Sequence, residues 1–174
     1  VRTGSPGAVA PTTRDVAGDR SREILSLGSA RTRMPYYRIL APTDGSDPST
    51  RGVDRAIELA DRFGAAVHAL YVVDRSNRAG DWDVVVERQE AAGEAALDGA
   101  ADRGEASGVE IERHLRRGTP AAEILAFVEG VDIDLIVMGT HGRSGIDRIR
   151  HAGSTTERVI RGASVPVFAV PPDP

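Results

Sequence analysis

Cysteine and lysine are both missing from this 174-residue chain. Without cysteine there are no disulfides, no thiolate nucleophile and no cysteine zinc site. Without lysine there is no Gly-x-x-x-x-Gly-Lys-[Ser/Thr] phosphate loop, and the absence argues against vigorous phosphoryl transfer. All 22 basic residues are therefore arginine. No apolar run approaches the roughly 18 residues that a membrane-spanning helix needs. No Gly-x-Ser-x-Gly elbow occurs either, and no nucleophile–base constellation stands out. The expectation is a non-catalytic protein of the cytoplasm with no membrane partner.

The composition suits a folded domain. Charged residues make up 28% and hydrophobic residues 40%, so a packed core is available. Charge is unevenly spread. Residues 1–33 carry six Arg against three acids, a net +3, and the remaining sixteen Arg face 23 acids, a net −7, giving the −4 of the whole chain. An acidic domain repels the phosphate backbone, so no nucleic-acid partner is expected.

Residues 1–33 read as a separate segment, rich in Gly, Ser, Thr, Pro and Arg with one short apolar patch at Ile24–Leu27. They lack the 7–15-residue apolar stretch of a secretory signal. Met34 stands just before the first strand signal, and Val1 is what a literal reading of a GTG codon gives. The expectation is a disordered arm or a mis-called N-terminal extension at 1–33 and a single domain at 34–174.

From Met34 onward, strand and helix signals alternate. Arg38–Thr43 is a short apolar strand. Asp47 and Pro48 give a helix cap and a first-turn proline. Val53, Ala56, Ile57, Ala60 and Phe63 follow at helical spacing, and Gly64 ends the helix. Val67–Val73 is a near-continuous apolar strand. A long helix runs from Asp81 to about Ser107, and Val109–Leu115 alternates like a strand. Thr119-Pro120 opens a third helix with Ile124, Phe127 and Val128 on its apolar face. Ile133–Met138, Ser154–Gly162 and Val165–Val170 complete a β-α-β-α-β-α-β-α-β series. Apolar strands alternating with helices imply a parallel sheet covered on both faces.

The densest chemistry lies in Val137-Met138-Gly139-Thr140-His141-Gly142-Arg143-Ser144-Gly145, followed by Gly153-Ser154-Thr155-Thr156-Glu157. A strand stops at a glycine loop, and a helix start follows. Loop amides and a helix N-terminus together attract an anion, and Arg143 adds a full charge. In open parallel sheets, ligands bind at the carboxyl ends of strands where the strand order reverses. The first strand ends in Pro42-Thr43-Asp44-Gly45-Ser46 and the fourth in Gly139-Thr140-His141-Gly142. If those strands are neighbours, Asp44 offers a carboxylate to a ribose hydroxyl or a metal. Thr43 and Val72 then wall a base, while Gly139, Gly142, Gly153 and Ser154 hold phosphates.

Each feature also has a plainer reading. Gly-x-x-Gly is commonly a turn, and Ser154 with Glu157 is a capping box. His68 sits inside an apolar strand as a core or edge residue. His114 and His151 show no partners at metal-ligand spacing, so no metal site is expected. Arg116-Arg117 reads as a solvated strand end.

Taken in order, these motifs resemble the universal stress protein family, from about Tyr37 to Val170. The residues that carry the likeness are Ile39–Ser46, Leu70–Asp74, Asp134–Arg143, Gly153–Val159 and Val165-Pro166-Val167. The resemblance implies a Rossmann-like α/β three-layer sandwich with a five-stranded parallel sheet of order 3-2-1-4-5. It implies a homodimer through the C-terminal edge strand and, in one branch, bound ATP, with or without Mg2+. That branch has Gly, two residues, Gly, nine residues, then Gly-[Ser/Thr]. Here ten residues, Arg143 to Ala152, separate Gly142 from Gly153. The candidate nucleotide-binding set is Pro42, Thr43, Asp44, Val72, Met138, Gly139, Gly142, Arg143, Gly153, Ser154 and Thr155. The implied role is a stress-response and signalling module. The alternatives are an interaction protein of the same fold without nucleotide, or a slow ATPase.

Overall fold

Strands without a polar face need cover on both sides, and the chain supplies it by placing a helix after each of the first four strands. The computed structural model describes residues 36–75, 82–140 and 155–171. Their elements are β1 (Arg38–Pro42), α1 (Asp47–Phe63), β2 (Ala66–Asp74), α2 (Trp82–Ser107), β3 (Ile111–Gly118), α3 (Pro120–Val131), β4 (Leu135–Gly139), α4 (Thr155–Gly162) and β5 (Val167–Val170). All strand pairs are parallel, and the order is β3-β2-β1-β4-β5. This is the expected single-domain α/β sandwich. The reading of residues 1–33 lies outside the described residues. No described helix is long and apolar enough to cross a membrane.

Alternation along each strand divides the core in two. Ile39, Ala41, Val67, Ala69, Tyr71, Val73, Leu135 and Val137 face one layer, against Val53, Ala56, Ile57 and Ala60 of α1 and Leu97 and Ala100 of α2. Leu40, Leu70, Ile136 and Met138 face the other, against Ile124, Phe127 and Val128 of α3 and Val159 of α4. Phe127 is 1% exposed. Burying such a side chain is worth about 1.5–3 kcal/mol. The amino ends of β1 and β4 are clasped by one carboxylate. Tyr37 and Arg38 both donate backbone N–H groups to Asp134 Oδ2, at 2.8 and 2.9 Å.

Most boundaries shift by a residue or two from the sequence reading, β4 among them, at Leu135–Gly139 instead of Ile133–Met138, and three shifts have a clear physical cause. Ser46, not Asp47, caps α1; its hydroxyl accepts from the Ser49 N–H, and Pro48 occupies the first turn. β3 runs Ile111–Gly118 instead of Val109–Leu115. Val109 still belongs to the turn leaving α2, because its N–H donates to Gly104 O at 2.9 Å. At the other end, β2 extends to Asp74 and keeps Arg116 and Arg117 in the ladder. β5 begins at Val167, since Pro166 has no N–H to give the ladder; its carbonyl instead accepts from Ile136 N. Gly64 ends α1 as expected, in the left-handed conformation with φ 65°.

One packing contact sets how close α1 comes to the sheet. A Cβ on Gly52 would stand 2.9 Å from Gly139 N and 3.2 Å from the Met138 carbonyl carbon. Backbone therefore meets backbone with no side chain between. Gly99, in α2, faces open space. Alanine normally adds about 0.5–1 kcal/mol to a helix interior over glycine. Gly99→Ala is expected to gain that amount, whereas Gly52→Ala loses about 1–3 kcal/mol because the helix must lift. Denaturant titration of the two variants checks this. Equal stabilisation of both would show that the close approach is not a constraint.

Candidate functional site

The carboxyl ends of β1 and β4 lie side by side at the point where the strand order reverses, and the loops there are fixed by hydrogen bonds. Thr43 ends β1 by donating its N–H to Leu70 O at 2.9 Å. Its hydroxyl lies 3.0 Å from Ser49 Oγ and accepts from Gly45 N at 3.1 Å. Ser49 Oγ donates to Ser46 O at 2.9 Å, so the Thr43 hydroxyl donates to Ser49. Asp44 donates its N–H to the same Ser49 oxygen. Its Oδ1 accepts from Ser46 N at 3.0 Å and Ser46 Oγ at 2.6 Å. Gly45, with φ 76°, supplies the left-handed residue that the turn requires. The Asp44 carboxylate is thus held in one orientation by the start of α1.

Across the reversal, Thr140 N donates to Val170 O at 3.0 Å. Thr156, in the first turn of α4, donates its hydroxyl to Gly139 O at 2.8 Å. That bond seats the positive end of the α4 dipole beside the end of β4.

Between the loops is a cavity of about 360 Å³. Pro42, Leu70, Val72, Ile124 and Met138 give it an apolar wall, and Thr43, Asp44, Asp74, Gln89, Thr140 and Thr155 give it polar groups. An apolar wall with a few placed polar groups suits an organic ligand with a polar end. Of the candidate residues, Pro42, Thr43, Asp44, Val72, Met138, Gly139 and Thr155 line this one cavity. Gly142, Arg143, Gly153 and Ser154 lie outside the described residues.

Sequence reasoning missed several lining residues. Asp74 stands two residues beyond Val72 on the same strand, hence on the same face and nearer the loops, so a signal was there. Thr140 follows Gly139 directly. Gln89 comes from α2, and nothing in its sequence surroundings marks it. Gly139, read from the sequence as a phosphate-holding residue, has a steric reason as well, and it is not one of positive φ. A Cβ there would stand 2.3 Å from Pro48 O and 2.7 Å from Pro48 C. Its glycine is required by the first turn of α1, before any ligand is considered.

Away from this cavity, the structure joins residues the sequence left apart. His68 is 3% exposed, and its ring meets that of His114 edge to edge, with centroids 5.4 Å apart. Its Nδ1 lies 3.2 Å from His114 Nε2 and 3.4 Å from Glu112 Oε2. His114 therefore does have ligand-type partners: Glu112, two residues before it on β3, and His68 on the neighbouring strand, which spacing along the chain cannot show. Burial, foremost, lowers the pKa of both histidines below the usual value.

Comparison with known proteins gives the same picture. Residues 35–171 match the profile of the Universal stress protein family. Universal stress protein MJ0531 of Methanocaldococcus jannaschii is 42% identical over 140 residues, covering 78% of this chain and 82% of that protein. The structure of universal stress protein UspA from Lactobacillus plantarum superposes with a TM-score of 0.68 at 30% identity, covering 78% of this chain and 97% of the other. A universal stress protein solved in complex with cAMP superposes at 0.65, also at 30% identity, covering 78% and 97%.

The steric account of Gly139 is directly measurable. Gly139→Ala is expected to destabilise the ligand-free protein by about 1–3 kcal/mol through the clash with Pro48. Thermal unfolding without nucleotide checks this, and an unchanged midpoint would return Gly139 to a purely ligand-directed role.

Proposed function

Because the chain belongs to the universal stress protein family, we propose that it is a cytoplasmic, dimeric, ATP-binding stress-response module that signals through the occupancy of its cavity. The observation that carries this reading is the cavity at the β1/β4 reversal, with apolar residues on one wall and Asp44 held rigidly at its edge. The cAMP complex of a structural relative supports an adenine nucleotide as the ligand class.

In this reading the base lies against Val72, Pro42 and Met138, where apolar contact needs no exact polar match. Asp44 accepts a hydrogen bond from a ribose hydroxyl. The phosphates run toward Gly139, Thr140 and Thr155, where the α4 N-terminus is positive, and Gly142, Arg143, Gly153 and Ser154 complete their cradle. Mg2+, when present, arrives with the phosphates and meets oxygen donors suited to it. The chain has no lysine, and the described lining residues include no nucleophile–base pair, which supports a site that holds nucleotide rather than turning it over.

The ten-residue interval between Gly142 and Gly153 favours a second reading, a module of the same fold whose cavity no longer takes ATP. Calorimetry with ATP separates the two. Asp44→Ala removes one charge-assisted hydrogen bond and is expected to cost about 1.5–3 kcal/mol, or roughly 10- to 150-fold in affinity. Gly142→Val is expected to weaken binding with the fold intact. If wild type binds poorly and deletion of Ala152 restores affinity, the second reading replaces the first. Tight binding indifferent to both substitutions would place the nucleotide elsewhere.

The dimer is proposed through β5. Val167-Phe168-Ala169-Val170 forms the sheet edge beside β4, and Phe168 is 46% exposed, with Ile160 of α4 at 52%. Exposed apolar edges of this kind pair. Phe168 presents the larger apolar surface on β5, so Phe168→Arg is expected to shift sedimentation toward monomer at micromolar concentration. A wild-type monomer there would end the proposal.

A further inference from the structure

We propose that His68, Glu112 and His114 form a Zn2+ site that ties β2 to the edge strand β3, separate from the cavity at the β1/β4 reversal. None of the three residues lines that cavity.

The grouping follows from the register. His68 pairs with Glu112 across the β2–β3 ladder, and His114 lies two residues further along β3. All three side chains therefore share one face of the sheet. Phe127 of α3 closes one side, with its ring centroid 4.7 Å from that of His114 and 6.1 Å from that of His68.

Three donor atoms converge: His68 Nδ1 and His114 Nε2 are 3.2 Å apart, His68 Nδ1 and Glu112 Oε2 3.4 Å, and His114 Nε2 and Glu112 Oε2 3.8 Å. The size of this triangle bears on the ion. Ligands at the usual zinc distance of about 2.0–2.1 Å stand about 3.3 Å apart at tetrahedral angles, but only about 2.9 Å apart at octahedral ones. The three corners lie about 2.0 Å from the centre of their own plane, so an ion bonded at about 2.1 Å sits roughly 0.6 Å out of that plane, with a fourth position open on its far side. The spacing favours a four-coordinate ion over an octahedral one. Two imidazoles and a carboxylate are also a donor set that zinc accepts.

A neutral pair of rings satisfies the His68–His114 edge with an N–H···N hydrogen bond. A single cation reaches all three corners, Glu112 included. Burial lowers the pKa of both rings, which favours the neutral form that ligates. The nearest positive groups are otherwise engaged. Arg38 donates to Val131 O at 3.1 Å, and Arg116 lies 3.8 Å from Glu123 and over the Phe127 ring. Glu112 is half exposed and His114 27% exposed, so metal enters from solvent and water takes the fourth position.

The test uses the full chain, stripped with chelator and titrated with Zn2+ by calorimetry in excess Mg2+. Uptake of a single Zn2+ per chain with micromolar or tighter affinity is expected. Glu112→Gln and His114→Gln sit at accessible positions and leave the fold in place. Each is expected to weaken binding by at least about 100-fold, since outer-shell partners alone are worth 10- to 100-fold. The chain's other histidines serve as the control, and the His141→Asn, His151→Asn double variant keeps full affinity. Zn2+ raises the unfolding midpoint of wild type but not of the two ligand variants. Co2+ in place of Zn2+ gives the intense visible absorption of a tetrahedral site. No uptake at micromolar metal, uptake undiminished in the ligand variants, or a weak six-coordinate Co2+ spectrum would each overturn the assignment.

Discussion

The architecture of the upper sheet depends on backbone meeting backbone where α1 crosses the end of β4. Gly52 and Gly139 leave no side chain between helix and strand. That contact fixes the height of Pro48 and Ser49. Ser49 in turn organises Thr43, Asp44 and Ser46 through three hydrogen bonds of its hydroxyl. The cavity wall is therefore an extension of helix packing. A shift of α1 by a few tenths of an ångström would move Asp44 with it. Preorganisation of this sort lowers the ordering cost of binding, because the loop is already fixed before a ligand arrives.

Much of this was legible in the sequence because the fold rests on local signals. Apolar strands such as Val67–Val73 have no polar face, and Gly64 marks a helix end by needing positive φ. Sheet order followed once the motifs were taken together. The cavity was half legible. Pro42, Thr43, Asp44, Val72, Met138, Gly139 and Thr155 come together because each stands at a strand end or helix start. Contacts made across the fold were not legible. Gln89 reaches the cavity from a helix distant in sequence. Gly139 is glycine because of a helix some ninety residues earlier. His68 and His114 meet only through the β2–β3 register. The β3 boundary slipped because hydrophobicity marks Val109 as strand, whereas the turn after α2 claims its N–H.

Arginine carries all the positive charge, and the structure uses it to join elements. Arg103 of α2 pairs with Asp54 of α1 at 2.9 Å. Arg117 of β3 pairs with Glu90 of α2 at 2.6 Å, and Arg113 of β3 pairs with Asp98 of the same helix. These groups are largely solvent-exposed, so water and salt screen the pairs and they add little to stability. Their value is directional. The planar guanidinium fixes the angle of approach, which keeps α2 aligned with β3 and α1.

The two edges of the sheet are finished differently. β3 carries Glu112, Arg113, Arg116 and Arg117, whereas β5 is Val-Phe-Ala-Val. Endless stacking of sheets into a fibre requires that both edges accept a neighbour. Among the described residues one edge is lined by charged side chains already tied to neighbouring helices, Arg113 and Arg117 to α2 and Arg116 beside Glu123 of α3, and the other edge is apolar. A strand added at β3 would have to disturb those ion pairs, whereas one added at β5 would not. The two edges are therefore unequal as templates, and an unequal pair disfavours open-ended growth from both sides of the sheet.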